Sequence, residues 1–183
     1  IQNTEGNTPL HLAAAAGQAV CVKKILSRCA SSDPELKKML LSQVNDQNQT
    51  TLHLAGSTAS PQHENTFAVL LEQGADPLIL DGEGNSATHY VCKSGSILTL
   101  KLLINYCSDE MCENSVNKWE LLRPSALRGL SRDILLLRLF SSLNDNQRTP
   151  AMISTLHGNI GQLKLMLRES FYEGSNTVES NKR

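Results

Sequence analysis

Asn3-Thr4-Glu5-Gly6-Asn7-Thr8-Pro9-Leu10-His11-Leu12-Ala13-Ala14-Ala15-Ala16-Gly17 is the stretch whose reading decides the fold. Its order has a mechanism. Gly6 permits the positive φ of a tight turn. Thr8 caps a helix, and Pro9 takes the first helical position, where its missing N–H costs nothing. Leu10 and Ala13 share a face, and the small alanines let a neighbouring helix approach closely. Gly17 ends this short helix. Val22, Ile25 and Leu26 follow at helical spacing and predict a second one.

The stretch repeats. A second copy is Asn45-Asp46-Gln47-Asn48-Gln49-Thr50-Thr51-Leu52-His53-Leu54-Ala55, closing at Val69-Leu70-Leu71-Glu72-Gln73-Gly74-Ala75-Asp76-Pro77. Asn48 stands for the turn glycine, as the residue that best tolerates the left-handed region after glycine. A third copy runs from Asp81-Gly82-Glu83-Gly84-Asn85-Ser86 through His89 to Gly95, with Leu98, Leu100, Leu102, Leu103 and Ile104 in its second helix. A fourth is worn: Arg123-Pro124-Ser125-Ala126-Leu127, then an apolar helix over 134–140. A fifth starts at Asn144, with Thr149-Pro150-Ala151-Met152, Gly158, and an outer helix holding Leu163, Leu165, Met166 and Leu167.

These copies resemble the ankyrin repeat, whose pattern is D-x-x-G-x-T-P-L-H-L-A-A-x-x-G. The resemblance implies an all-α ankyrin-repeat solenoid of about five helix-turn-helix repeats with β-hairpin fingers. The expected domain covers residues 1–170, with repeats near 3–44, 45–80, 81–116, 117–143 and 144–170, and a polar tail over 171–183. The position of the motif histidine falls at 11, 53, 89, 126 and 152, so the spacings are 42, 36, 37 and 26. The long first spacing predicts an extra helix over 34–43, opened by Ser31-Ser32-Asp33-Pro34-Glu35. Residues 56–65 read as an exposed inserted loop. The last spacing is too short for a full finger.

A finer resemblance lies in residues 38–55 and in Gly74-Ala75-Asp76-Pro77-Leu78-Ile79-Leu80-Asp81 leading to Gly84-Asn85-Ser86 and His89. These are similar to the inhibitor-of-NF-kappaB group, which includes the ankyrin halves of the NF-kappaB precursors. The resemblance implies a regulator that binds a Rel-homology transcription factor, retaining it or blocking its DNA contacts. The chain departs from that group in its worn fourth repeat and in Tyr90-Val91-Cys92, which replaces L-A-A and alters local packing. Other readings are an interaction arm of a larger enzyme or channel, and a pathogen or viral effector that imitates a host inhibitor.

Composition fits a protein binder. Among 183 residues, 17 Lys and Arg face 18 Asp and Glu, a formal charge of −1. That gives no field for direct nucleic-acid binding and no polybasic membrane patch. No apolar run reaches the length of a membrane span. Five irregularly spaced cysteines argue against a disulfide framework and for a reducing compartment, the cytoplasm or also the nucleus. The chain opens at Ile1 inside a motif and reads as a fragment, expected to be monomeric in isolation.

Candidate chemistry is thin. His11, His53 and His89 recur at one motif position, and recurrence favours a structural role tying adjacent turns. His89 and Cys92 lie three apart on one helix and could form a Cys–His pair, yet Cys92 takes a small buried position. Cys92, Cys107 and Cys112 lack a C-x-x-C pair, so no zinc site is expected. Asn48-Gln49-Thr50 matches a glycosylation acceptor inside a turn and reads as coincidence. The expectation is no catalysis, no cofactor and no metal.

Variable motif positions point at a partner. At the finger tips and beyond the turn these are Thr4, Glu5, Asn7, Gln47, Gln49, Gly82, Glu83, Asn85, Asp145 and Arg148. Lys93 joins them on an inner helix. Trp119, the single Trp, is either an exposed anchor or a plug for the worn fourth unit.

Overall fold

Each copy of the motif should give a turn, a short capped helix and a longer helix. The structure, a computed structural model, describes residues 2–32, 34–107 and 132–171. Ten helices lie among these: α1 (Pro9–Ala15), α2 (Ala19–Ser32), α3 (Pro34–Ser42), α4 (Thr51–Gly56) and α5 (Pro61–Glu72). They continue with α6 (Ala87–Ser94), α7 (Ile97–Cys107), α8 (Arg132–Ser141), α9 (Pro150–Leu156) and α10 (Ile160–Phe171).

The short helices α1, α4, α6 and α9 stack in an inner row, and the longer α2, α5, α7 and α10 form an outer row. Leu10, Leu26, Leu52, Phe67, Leu70, Leu100, Leu103 and Leu139 fill the space between the rows. The small positions allow this. Ala14, Ala55 and Cys92 are fully covered, so inner helices meet closely.

Every finger opens on an Asn or Asp whose Oδ1 closes the turn. Asn3 Oδ1 accepts from the N–H groups of Glu5 and Asn7. Asn45 does so from Gln47 and Gln49, Asp81 from Glu83 and Asn85, and Asn144 from Arg148. The turn residue takes positive φ each time: +72° at Gly6, +56° at Asn48, +74° at Gly84 and +56° at Gln147. The expected β-hairpins are therefore tight side-chain-closed turns. Among the described residues the one isolated bridge joins Leu80 to Ser86.

Successive fingers stack edge to edge. The N–H of Asp46 donates to Glu5 O, that of Gly82 to Gln47 O, and that of Asp145 to Glu83 O, at 3.1, 2.9 and 3.0 Å. Size alternates across each contact. A Cβ on Gly6 would strike the Asp46 carboxylate, and one on Gly84 would lie 2.7 Å from the Asp145 Oδ1. Where the turn residue is the larger Asn48, the facing residue is Gly82, 3.0 Å from Gln47 O at its would-be Cβ.

Two expectations are corrected. The sequence places a fourth unit at 117–143 between the third and fifth. The structure instead seats the 144–149 finger on the 81–86 finger and α9 on α6. The slot beside the third finger is thereby filled. Of the fourth unit, residues 117–131, with Trp119 and Arg123–Leu127, lie outside the described residues, and its described part holds α8, packed on α7 and α9. Like α3, α8 follows an outer helix and precedes a finger, which accounts for the short last spacing.

The second correction concerns 56–65. Only residues 57–60 leave the helices, because Ser60 caps α5 and Pro61 starts it. The expected extra helix over 34–43 is α3.

Candidate functional site

The inner helices and fingers share one face, and its geometry begins with the histidines. At each N-cap the backbone N–H donates to the imidazole Nδ1 three residues on: Thr8 to His11 at 3.3 Å, Thr50 to His53 at 3.0 Å, Ser86 to His89 at 3.0 Å. Nδ1 is thus the acceptor, so the proton sits on Nε2. That Nε2 donates forward to a carbonyl of the following finger: His11 to Gln49 O, His53 to Asn85 O, His89 to Arg148 O, at 3.0, 3.0 and 3.1 Å. Burial holds all three imidazoles below their ordinary value, against the pull of those carbonyls. The structural reading of the motif histidine stands.

A second ladder runs beside it. The Asn45 amide donates to Asn7 Oδ1 at 3.0 Å, and the Asn144 amide to Asn85 Oδ1 at 2.8 Å. The middle rung cannot form this way, because Asp81 has no amide. Tyr90 fills in: its hydroxyl donates to Asp81 Oδ2 at 2.7 Å and accepts from Gln49 Nε2 at 2.7 Å. Its ring also meets the His53 ring edge-on at 5.3 Å. Burial pushes the Asp81 carboxyl up, but the Tyr90 hydroxyl and the Asn85 and Glu83 N–H groups outweigh it, so the carboxyl lies below its ordinary value. Burial, then the Asp81 carboxylate, pushes the Tyr90 hydroxyl up.

These ladders re-sort the expected site residues. Asn7 is buried, with its amide on Glu5 and its oxygen on Asn45. Gln49 and Asn85 likewise spend their side chains within the stack. In these three fingers the residue just past the turn faces the adjacent finger before it faces solvent. Thr4, Glu5, Gln47, Gly82, Glu83, Lys93, Asp145 and Arg148 are exposed. Trp119 lies outside the described residues.

Six of these eight exposed residues line two clefts; Gly82 and Asp145 line neither. One, of about 520 Å³, lies between the first two fingers, lined by Thr4, Glu5, Asp46, Gln47, Leu12 and Leu54 among others. The other, of about 160 Å³, lies between the 81–86 and 144–149 fingers, with Glu83, Lys93, Arg148, Ile153, Leu156 and His157. Ile153, Leu156 and His157 were not among the expected residues. Their signal was their motif position, where the first repeat has Leu12, Ala15 and Ala16.

The Cys–His pair does not assemble. Both His89 nitrogens are engaged, and burial pushes the Cys92 thiol up to about 12. Asn159, just before α10, and Gln162 within it cap the end of α6 instead: Asn159 Nδ2 donates to Cys92 O, and Gln162 Nε2 to Val91 O and Ser96 O. His63 Nε2 does the same for Ala15 O at the first joint.

Residues 1–81 match the family model described as ankyrin repeats (3 copies). The chain is 26% identical over 190 residues to B-cell lymphoma 3 protein homolog of Mus musculus, covering 96% of this chain and 41% of that protein. It is 32% identical over 117 residues to nuclear factor NF-kappa-B p105 subunit of Rattus norvegicus, covering 64% of this chain and 11% of that protein. It is 31% identical over 116 residues to the transient receptor potential cation channel subfamily A member 1 homolog of Caenorhabditis elegans, covering 61% of this chain and 8% of that protein. The chain spans less than half the length of each of these relatives. No helix among the described residues is long and apolar enough to cross a membrane. Motif copies, histidine ladder and family match agree: the chain is an ankyrin-repeat protein, similar in sequence to ankyrin proteins of the inhibitor-of-NF-kappaB kind.

Proposed function

We propose that this ankyrin stack is an inhibitor-of-NF-kappaB-like regulator that binds a Rel-homology transcription factor, retaining it or blocking its DNA contacts. Ankyrin repeats are protein-interaction modules, and the coarser role rests on them alone. The observation that carries the finer one is the similarity to the p105 subunit, joined to a face whose exposed side chains stand on a fixed backbone. Thr4, Glu5, Gln47, Gly82, Glu83, Lys93, Asp145 and Arg148 are the contacts we assign to the partner, all of them but Gly82 and Asp145 lining the two clefts. Their mixed polar character suits a wet interface rim. Cytoplasm and nucleus are the compartments this role implies.

The test is calorimetric titration with recombinant Rel-homology dimers. Micromolar or tighter binding, lost in the combined Glu5→Ala, Gln47→Ala, Lys93→Ala, Arg148→Ala variant at unchanged melting temperature, supports the reading. No heat at micromolar protein removes the Rel partner and leaves the protein-binding role. A second reading, an interaction arm of a larger protein, is favoured by the similarity to a cation-channel homolog of which this chain covers only 8%. A longer reading frame encoding membrane-spanning helices would decide for it.

A further inference from the structure

We propose that the cleft between the 81–86 and 144–149 fingers is a subsite for a carboxylate side chain with an aliphatic neighbour, carried on an extended segment of the partner. The inference rests on the shared face being the binding face and names what one end of it reads. Three elements converge there. The inner helix α6 supplies Lys93, the last finger supplies Arg148, and α9 with its C-cap residue supplies Ile153, Leu156 and His157. Among the described residues neither Lys93 nor Arg148 has a carboxylate partner, and both are exposed. Glu83 is the one acid lining the cleft, and its carboxylate takes the Asn85 amide at 3.3 Å. Asp81 is held behind the Tyr90 hydroxyl.

The cation at 148 stands on a rigid base. Its N–H donates to Asn144 Oδ1 at 2.9 Å, and its carbonyl accepts from His89 Nε2 at 3.1 Å. A guanidinium on a backbone pinned from both sides loses little freedom on binding, and its planar fork matches a carboxylate. Beside it Leu156 is 61% exposed, at a position where other inner helices carry Ala15 or Lys93. An exposed leucine against two cations offers an aliphatic shelf next to a carboxylate hook. The first cleft is the opposite: Glu5 and Asp46 line it, with no Lys or Arg. A carboxylate-bearing segment is therefore repelled at one end of the face and drawn to the other.

The test uses the isotope-labelled chain titrated with an acetylated, amidated Glu-Leu-Glu-Leu peptide, its Gln-Leu-Gln-Leu counterpart and inorganic phosphate. Amide shifts at Lys93, Arg148, Ile153 and Leu156, with binding of the Glu peptide at least tenfold tighter, are expected. The Lys93→Glu, Arg148→Glu variant should reverse that preference. Equal binding of the two peptides, shifts centred on Glu5 and Gln47, or no shifts overturn the subsite. So does phosphate matching the peptide's shifts at equal concentration, which would make it a general anion site. The parent reading is separable: a Rel-homology dimer that binds the charge-reversed variant undiminished rejects the subsite and keeps that partner, whereas peptide shifts without dimer binding reject the partner and keep the subsite.

Discussion

Tyr90 donates its hydroxyl to Asp81 across nine residues of chain, and in doing so replaces an asparagine amide that the other fingers use. Tyr90→Phe leaves Gln49 Nε2 and Asp81 Oδ2 each short of a partner. A lost bond to a charged acceptor costs about 1.5 to 3 kcal/mol, and the half-buried setting puts this one near the lower end. The amide introduced by Asp81→Asn can reach Gln49 Oε1 as Asn45 reaches Asn7. The double variant should therefore recover at least half of the loss in urea midpoint at pH 7. Additive losses would show that the two groups do not share a rung.

Acid should loosen the stack. Burial holds His11, His53 and His89 below the ordinary imidazole value of 6.5. The unfolded chain then takes up protons first as pH falls. Stability is fully present above pH 6.5 and declines as pH drops below it toward the folded values. Asp81, held low, loses its contribution only below 3.8, and Asp76, which burial holds high, gains as pH falls through the carboxylate range. Thermal melts from pH 7.5 to 5.5 should show a falling midpoint, less steep in His89→Gln. A flat profile over that interval would mean that burial does not hold these imidazoles below 6.5.

Close finger stacking should make one glycine dearer than another of like conformation. Gly6 has φ +72° and faces Asp46, while Gly158 has φ +69° and open space, with nothing within 4 Å of where a Cβ would stand. Gly158→Ala should cost about 1 to 2 kcal/mol for the left-handed backbone alone. Gly6→Ala adds the collision with Asp46, about 1 to 3 kcal/mol more. Chemical denaturation of both variants checks this; equal losses would mean the fingers part without penalty.

The last unit hangs on Gln162. Its buried amide holds Val91 O and Ser96 O at 2.8 and 2.9 Å, and its oxygen accepts from Ser154. Gln162→Ala strands those groups at about 1 to 3 kcal/mol. Hydrogen exchange should then show α9 and α10 losing protection before α1 to α5. Uniform loss would show a single cooperative unit instead of a nearest-neighbour array.

Much of this was legible in the residues. Gly6, Thr8, Pro9 and His11 state their local roles, because each answers one backbone demand of a turn or helix start. Histidines at 11, 53 and 89 announced the ladder by recurring. What sequence spacing could not tell was which finger follows which. Residues 108–143 contain an apolar helix, and the choice of Arg148 O as the acceptor for His89 is made in space, 59 residues away. The same limit hid Asn7, Gln49 and Asn85. They sit where a partner-facing residue is expected, and only the neighbouring finger shows their side chains already engaged. Tyr90 departed from the motif in plain view, but its purpose required seeing that Asp81 lacks the amide beside it.

The rungs also give the molecule an arrow. The motif imidazoles of His11, His53 and His89 each reach toward the next finger, so among the described residues the first turn receives no such bond and α9 extends none. Met152, 51% exposed, occupies the reaching position there with a thioether that cannot donate. The histidine rungs are thus a one-way zip with its loose tooth at the α9 end. Thermal opening should start at that tooth and run backward toward Thr8, so a partner spanning the shared face would act as the clasp at its weaker end.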